Sequence, residues 1–425
     1  MAAALVALGI TAGTAACAAE AGGHGKLTYW AVNMGPTLEE NQRLLDDQLA
    51  AFTKQTGVEV ELEVLTWDVL YTRIMTAISS GRGPDVVNIG NTWSATLQDT
   101  GALLAFDDDA MTAIGGRRKF LAPCLTATGA PGEPPASIPL LGQAYGLYYN
   151  TALFSEAGIT EPPATWAEFV TDAKTLTKPG QWGVSLLGAS SAGNAQLAFL
   201  LGRQQGAQLF DAEGVPQFDS SEAQAAVRLL LDLMEEHGVV NPSDAERTAV
   251  NDALAELANG RAGMVLSQSS GRTYLDSVGF EDYAVAPLPV LSPLPPGGAP
   301  VQSFVAGTNV AVFADTQHRD ESLELVRFLT DDDAQIALNH TFSTLPVVHG
   351  AYDDGAFADP ETQMFGDILS ERSETMPMVP GEGQMELLLG GAVSELWAKA
   401  ATGVVADADI SAALADAERQ MPVAH

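Results

Sequence analysis

Asn91, Thr92 and Trp93 stand together where a short apolar, β-branched run, Val86, Val87 and Ile89, gives way at Gly90. An amide, a hydroxyl and an indole at one point suit a neutral, hydroxyl-rich molecule. A sugar ring offers an apolar C–H face to an aromatic plane, and its rim hydroxyls need amide, carboxylate or hydroxyl partners. Two more groups of this kind follow. Gln143 opens an extended segment that carries Tyr145, Tyr148 and Tyr149. Ser269, Ser270, Arg272 and Tyr274 follow the apolar run 262–266. Trp30 and Trp67 each lie near an expected strand end, and core packing explains them as well as ligand contact does. For Trp93 contact is the stronger reading.

Other chemistries find less support. A glycosidase needs two carboxylates facing one bond; Asp68 and Glu382 are the acids placed near such a cleft, and neither stands in a catalytic motif. In residues 188–193 the second glycine falls one place too far for a nucleophile elbow. The six histidines show no HExxH or other zinc spacing. There is no phosphate loop, and no cofactor is implied. The acidic triplet Asp107–Asp109 lacks the alternation and glycine of a calcium loop and reads as a solvated turn. Asp331–Asp333 reads as the start of a helix, where unpaired N–H groups favour negative charge.

These groups must be positioned by strands and helices. Residues 27–32 read as a first strand, with Asn33 in the loop after it. Thr37 is a plausible N-cap for a helix on which Leu38, Leu45, Leu49 and Phe52 recur on one face. Val58, Val60, Leu62 and Val64 alternate with glutamates, as on a strand near a sheet edge. A helix from Trp67 returns the chain to residues 83–93. This is β-α-β-α-β, an α/β unit, and in open α/β sheets ligands lie beyond the carboxyl ends of the strands. A second α/β or mainly helical unit follows, with helices at 195–204, 222–237 and 252–258. Residues 303–312 read as one strand running back to the first unit, and Glu382, Gln384 and Met385 open the final helices.

At 425 residues two lobes are the default. The formal net charge of −34 argues against nucleic acid or anionic lipid as a partner. The two cysteines make no disulfide framework. Residues 5–10 resemble the apolar part of a secretory signal, and Thr14-Ala15-Ala16-Cys17 resembles a bacterial lipobox, with Cys17 the lipidated residue and a Gly-rich tether after it. Cys124 has no sequence-near His or Lys and reads as an inert thiol.

Four segments together resemble one family. They are Gly83-Pro84-Asp85-Val86-Val87 with Gly101-Ala102-Leu103-Leu104; residues 145–150 with Leu153-Phe154 and Pro162-Pro163-Ala164-Thr165-Trp166; residues 259–264; and Gly307-Thr308-Asn309. Their order over residues 26–421 is similar to that of extracellular solute-binding proteins of ABC importers, in the large sugar-binding class that includes the maltose-binding protein. The resemblance implies an α/β, two-lobed fold with the ligand between the lobes. Lobe 1 would be 26–143 plus 305–350, and lobe 2 would be 147–302 plus 357–425. The hinge would lie near 143–147, 302–309 and 350–357. By position, Asn91, Thr92 and Trp93 match the contact loop of lobe 1, Gln143 a contact near the hinge, and Ser269, Ser270 and Arg272 the strand exit of lobe 2. Glu382 and Gln384 fall near a further contact, and neither place carries the aromatic residue of the maltodextrin binder. Trp30, Asn33, Trp67, Phe304 and Gly307 complete the candidate ligand-binding set.

The expected function is a monomeric lipoprotein on the outer face of the cytoplasmic membrane. It would hand a neutral oligosaccharide to ABC permease subunits. The alternatives are a secreted carbohydrate-active enzyme and a binder of another polar solute such as glycerol phosphate. Neither a metal nor nucleic acid belongs to this reading.

Overall fold

The computed structural model describes residues 26–35, 37–211 and 213–422, so Cys17 and the segment around it lie outside the described residues. Three parallel strands begin the chain: β1 (Leu27–Val32), β2 (Val60–Leu65) and β3 (Val86–Gly90). The helix Leu38–Thr56 connects the first two. Thr37 caps it by accepting from the Glu40 N–H, and Gly57 ends it with φ of 79°, a left-handed value that glycine adopts without strain. The helix Trp67–Ser80 makes the second crossover. The alternating β2 lies at the sheet edge, and β3, apolar and β-branched, is buried along its whole length.

Later strands complete the framework. They are β4 (Ile138–Gln143), β5 (Tyr145–Asn150), β6 (Trp182–Ser185), β7 (Ala262–Gln268), β8 (Tyr283–Ala286), β9 (Ser303–Phe304), β10 (Ala306–Val312) and β11 (Ser373–Glu374). One sheet runs β2-β1-β3-β10-β4 and another β6-β7-β5-β8, with a short β11-β9 pair. Because β10 runs antiparallel between β3 and β4, Thr308 faces Gly90 and Ala306 faces Gln143. The end of β3 and the end of β4 thus flank the start of β10.

The chain passes between the two large sheets at Ala144, which separates β4 from β5, and again near Val305. Residues 303–312 are not the single strand expected. The strand breaks at Val305, because β9 pairs with β11 whereas β10 pairs with β3 and β4. The Val305 N–H donates to the Glu374 carbonyl, and its own carbonyl accepts from Asn91 Nδ2 at 2.6 Å.

One apolar core packs Phe52, Phe106, Ile138, Leu325 and Phe342 around the five-stranded sheet. Another packs Phe169, Phe218, Leu230 and Trp397 beside the four-stranded sheet, between the helices Ser191–Gln205, Ser221–Glu235, Glu382–Ala400 and Asp407–Gln420. The helices Ser191–Gln205 and Glu382–Ala400 touch closely at Gly390, where a Cβ would sit 1.9 Å from the Ser191 carbonyl oxygen.

The acidic triplets behave as local caps. Asp107 accepts from the Ala110 N–H at 2.9 Å and Asp331 from the Ala334 N–H at 2.8 Å. Cys124 is buried, and burial pushes its thiol up to about 12, which keeps it protonated and unreactive.

Candidate functional site

The site is built first on the end of β3. At Gly90 a Cβ would lie 3.2 Å from the Trp93 indole and 3.6 Å from that of Trp67. The bare backbone lets both rings fold over the strand end. Asn91–Trp93 form a single 3-10 turn that leads into the helix Ser94–Asp99. Asn91 ties the turn to the crossing segment at Val305, and Ser94 ties it to the sheet. Asn309 Nδ2, on β10, lies 2.8 Å from the Ala127 carbonyl, 2.9 Å from Ser137 Oγ and 3.2 Å from Ser94 Oγ. All of these polar side chains are buried, so the turn is held by satisfied bonds and not by loop chance.

Trp93 then becomes the middle of an aromatic cluster. Trp67 meets it edge-on at 5.6 Å between ring centroids, and Tyr71 at 4.9 Å. Trp67 and Tyr71 are one turn apart on the same helix face, which is why both reach the same ring. Trp67 is 38% exposed, so the cluster has a wet side.

The helix Glu382–Ala400 meets this cluster from the other sheet. The Gly383 N–H donates to Thr96 Oγ1 at 3.1 Å, and a Cβ on Gly383 would sit 3.2 Å from the Tyr71 hydroxyl. Glycine permits that approach. Glu382 is fully buried and Glu386 is 7% exposed. Burial pushes the Glu386 acid up to about 7, opposed by the Thr92 and Trp93 side chains beside it. Burial, and then the charge of Glu386, push Glu382 well above the usual carboxylate range. Burial and the same two acids raise the Tyr71 hydroxyl. Below them, Tyr145 donates its hydroxyl to Gln196 Oε1 at 2.8 Å, and its backbone N–H to Ser303 Oγ at 2.9 Å. Phe304 packs on the Tyr145 ring at 5.9 Å.

Several buried acceptors here have no partner: Gln143 Oε1, both carboxylate oxygens of Glu382, and Glu386 Oε1. Buried polar atoms are nearly always satisfied, so such a group marks a place prepared for something else.

The structure therefore brings together Asn91, Thr92, Trp93, Trp67 and Glu382 from the expected set, with Gln143 and Phe304 at the crossing segments beside them. Asn33 follows β1 in the same sheet; its amide donates to the Gly35 carbonyl at 3.1 Å, and its Oδ1 is buried without a partner. Other expected residues go elsewhere. Trp30 is covered by the Arg73 guanidinium, 4.4 Å from the ring centroid, and Arg73 pairs with Glu63. Gln384 is exposed, on the helix face opposite Glu382 and Glu386. Gly307 lies inside β10, where a Cβ would sit 2.3 Å from the Leu141 carbonyl oxygen, so the close approach of β4 calls for glycine there. Ser269 is fully buried beneath Ala144, its N–H on that carbonyl at 2.9 Å, and Ser270 precedes the helix Gly271–Ser277. Arg272 turns into a separate cavity of about 250 Å³ with Asp276, Tyr283, His340 and Asp359. There it pairs with Asp359 at 3.1 Å and Glu361 at 3.6 Å. A guanidinium so far desolvated follows its carboxylates, which sit on and just before the helix Pro360–Glu371. The Asp68 side chain lies outside the described residues.

Sequence reasoning did not single out Tyr71 or Glu386. Helical spacing carried the signal for both: Tyr71 follows Trp67, and Glu386 follows Glu382, by one turn. Among the described residues no group of His, Cys, Asp or Glu is placed to hold a metal, and no helix is long and apolar enough to cross a membrane.

Residues 35–336 match the family model described as bacterial extracellular solute-binding protein. A protein of Brucella abortus (strain 2308) is 24% identical over 375 residues, covering 87% of this chain and 86% of that protein. The diacetylchitobiose binding protein DasA of Streptomyces coelicolor is 22% identical over 351 residues, covering 75% of this chain and 72% of its own. The ABC transporter solute-binding protein of Thermotoga lettingae, solved with α-D-tagatose, superposes with a TM-score of 0.80 at 18% identity, covering 93% of this chain and 99% of that one.

Proposed function

We propose, for a chain that belongs to the bacterial extracellular solute-binding proteins, that it captures an oligosaccharide between its two large sheets and delivers it to an ABC permease. The observation that carries this reading is the meeting of Trp93 and Tyr71 with the unpartnered acceptors of Glu382 and Glu386, with Gln143, also unpartnered, at the nearby end of β4. Rings suit the C–H face of a sugar, and free acceptors suit its hydroxyls. The relative named for diacetylchitobiose and the neighbour holding tagatose support a carbohydrate. A phosphorylated solute is disfavoured by the two buried acids themselves, which form no ion pair among the described residues.

The lobes we propose are 26–143 plus 305–350 and 147–302 plus 357–425, with crossings near 143–147, 302–309 and 350–357. The sheet memberships support this division. A ligand that touches both the Trp93 turn and the Glu382 helix favours the closed arrangement by its differential affinity for it. The permease would then read the closed shape. Lipidation at Cys17, anchorage on the outer face of the membrane and a monomeric state complete the proposal.

A panel of oligosaccharides tests it, followed by tryptophan emission, melting temperature and recovery of the ligand. Saturable binding with the ligand intact is expected. Release of shorter sugars would mean an enzyme in place of a binder. Silence toward every sugar would overturn the carbohydrate reading.

A further inference from the structure

We infer that the solute carries a protonated nitrogen, as an amino sugar does, seated between the Glu382–Glu386 pair and the rings of Tyr71 and Trp93. This rests on the carbohydrate reading above and narrows its ligand. The starting point is the treatment of buried acids elsewhere in the chain. Asp244, 2% exposed, is met by the Arg247 guanidinium at 3.0 Å and accepts from Ser185 Oγ and the Leu186 N–H. Glu235, largely covered, takes Arg228 at 2.9 Å. Glu382 and Glu386 are covered as deeply and sit one turn apart on one helix face, yet neither forms an ion pair among the described residues.

Among the described residues, neutral groups act on the pair. Thr92 and Trp93 approach Glu386 from the β3 turn, Tyr71 faces both acids from the helix Trp67–Ser80, and Tyr145 faces Glu386 from β5. These are neutral side chains. Left without a counter-charge, both acids are held protonated by their burial; ionising them in a dry site is repaid only by an opposite charge with good hydrogen bonds. A solute of hydroxyls alone supplies donors and no charge. An ammonium supplies both, with three N–H groups for the free oxygens of Glu382 and Glu386. The adjacent rings suit it as well, since aromatic faces attract cations and the attraction grows when the site excludes water. Gln143 Oε1, unpartnered and 6% exposed at the end of β4, adds another acceptor beside the crossing segments. The formal charge of −34 draws cationic solutes toward the surface.

The test is calorimetric titration of the purified chain at about pH 6 with two to four linked glucosamines, with their N-acetylated forms, and with glucose oligomers of equal length. The amine series is expected to bind about 10- to 100-fold more tightly than either neutral series, the span of one charge-assisted contact. The double substitution Glu382→Gln with Glu386→Gln should bring the amine series down to the neutral one. A melting curve reports whether the double variant folds, and each single variant repeats the test with one acid kept. Equal or tighter binding of the neutral series, or a gap that survives the substitutions, overturns the inference and leaves the carbohydrate reading standing. Binding of neither series overturns both.

Discussion

Replacing Glu386 by Gln should make the stability of the ligand-free protein less sensitive to pH, by an amount the structure sets. Glu386 is 7% exposed, and burial moves its acid from 4.5 to about 7. Between those two values the folded chain holds a proton that the unfolded chain has released. Stability therefore falls as pH rises through this window. The contribution is complete below the unfolded value and is lost as the pH passes the folded one. Integrated from about pH 5 to about pH 8, one such group removes roughly 2–3 kcal/mol. Urea unfolding of the wild type and of Glu386→Gln at the two pH values reads the difference directly. The wild type should lose roughly 2–3 kcal/mol more than the variant over that interval. Equal losses would show that Glu386 is not a buried, uncompensated acid. Glu382 acts in the same direction, because burial, and then the charge of Glu386, hold its acid well above the usual carboxylate range.

Trp93→Ala removes the ring on which Trp67 and Tyr71 converge, and should weaken solute binding roughly 10- to 100-fold with circular dichroism unchanged; unchanged affinity would show that Trp93 is not a contact. Asn309→Leu strips the buried bonds to Ala127, Ser137 and Ser94 and should cost about 2–3 kcal/mol in urea unfolding. Gly390→Ala places a methyl 1.9 Å from the Ser191 carbonyl and should destabilise by about 2 kcal/mol or more, read by the same transition.

The architecture was legible wherever one local rule decided an element. Thr37, Gly57 and Thr165 mark helix ends through their own caps and turns, and β2 shows its edge position in its alternating glutamates. Val86, Val87 and Ile89 show a buried strand because nothing polar intervenes but Asn88, which accepts from the Tyr29 hydroxyl. The break at Val305 was not legible, since nothing local separates a strand that changes partners from one that does not. The Trp93 turn could be read because its chemistry is contiguous. Arg272 could not be placed, because its direction is fixed by Asp359 and Glu361, far away in the chain. Trp30 likewise depends on Arg73. Glu386 and Tyr71 needed only the helical repeat, applied from Glu382 and Trp67.

A crystal structure of the chain with the tightest-binding sugar of the panel tests the site most directly. The sugar is expected against Trp93 and Tyr71, hydrogen-bonded to Glu382 or Glu386, with both sheets contributing contacts. A sugar seated instead in the Arg272 cavity, or touching the residues of one sheet alone, would contradict it.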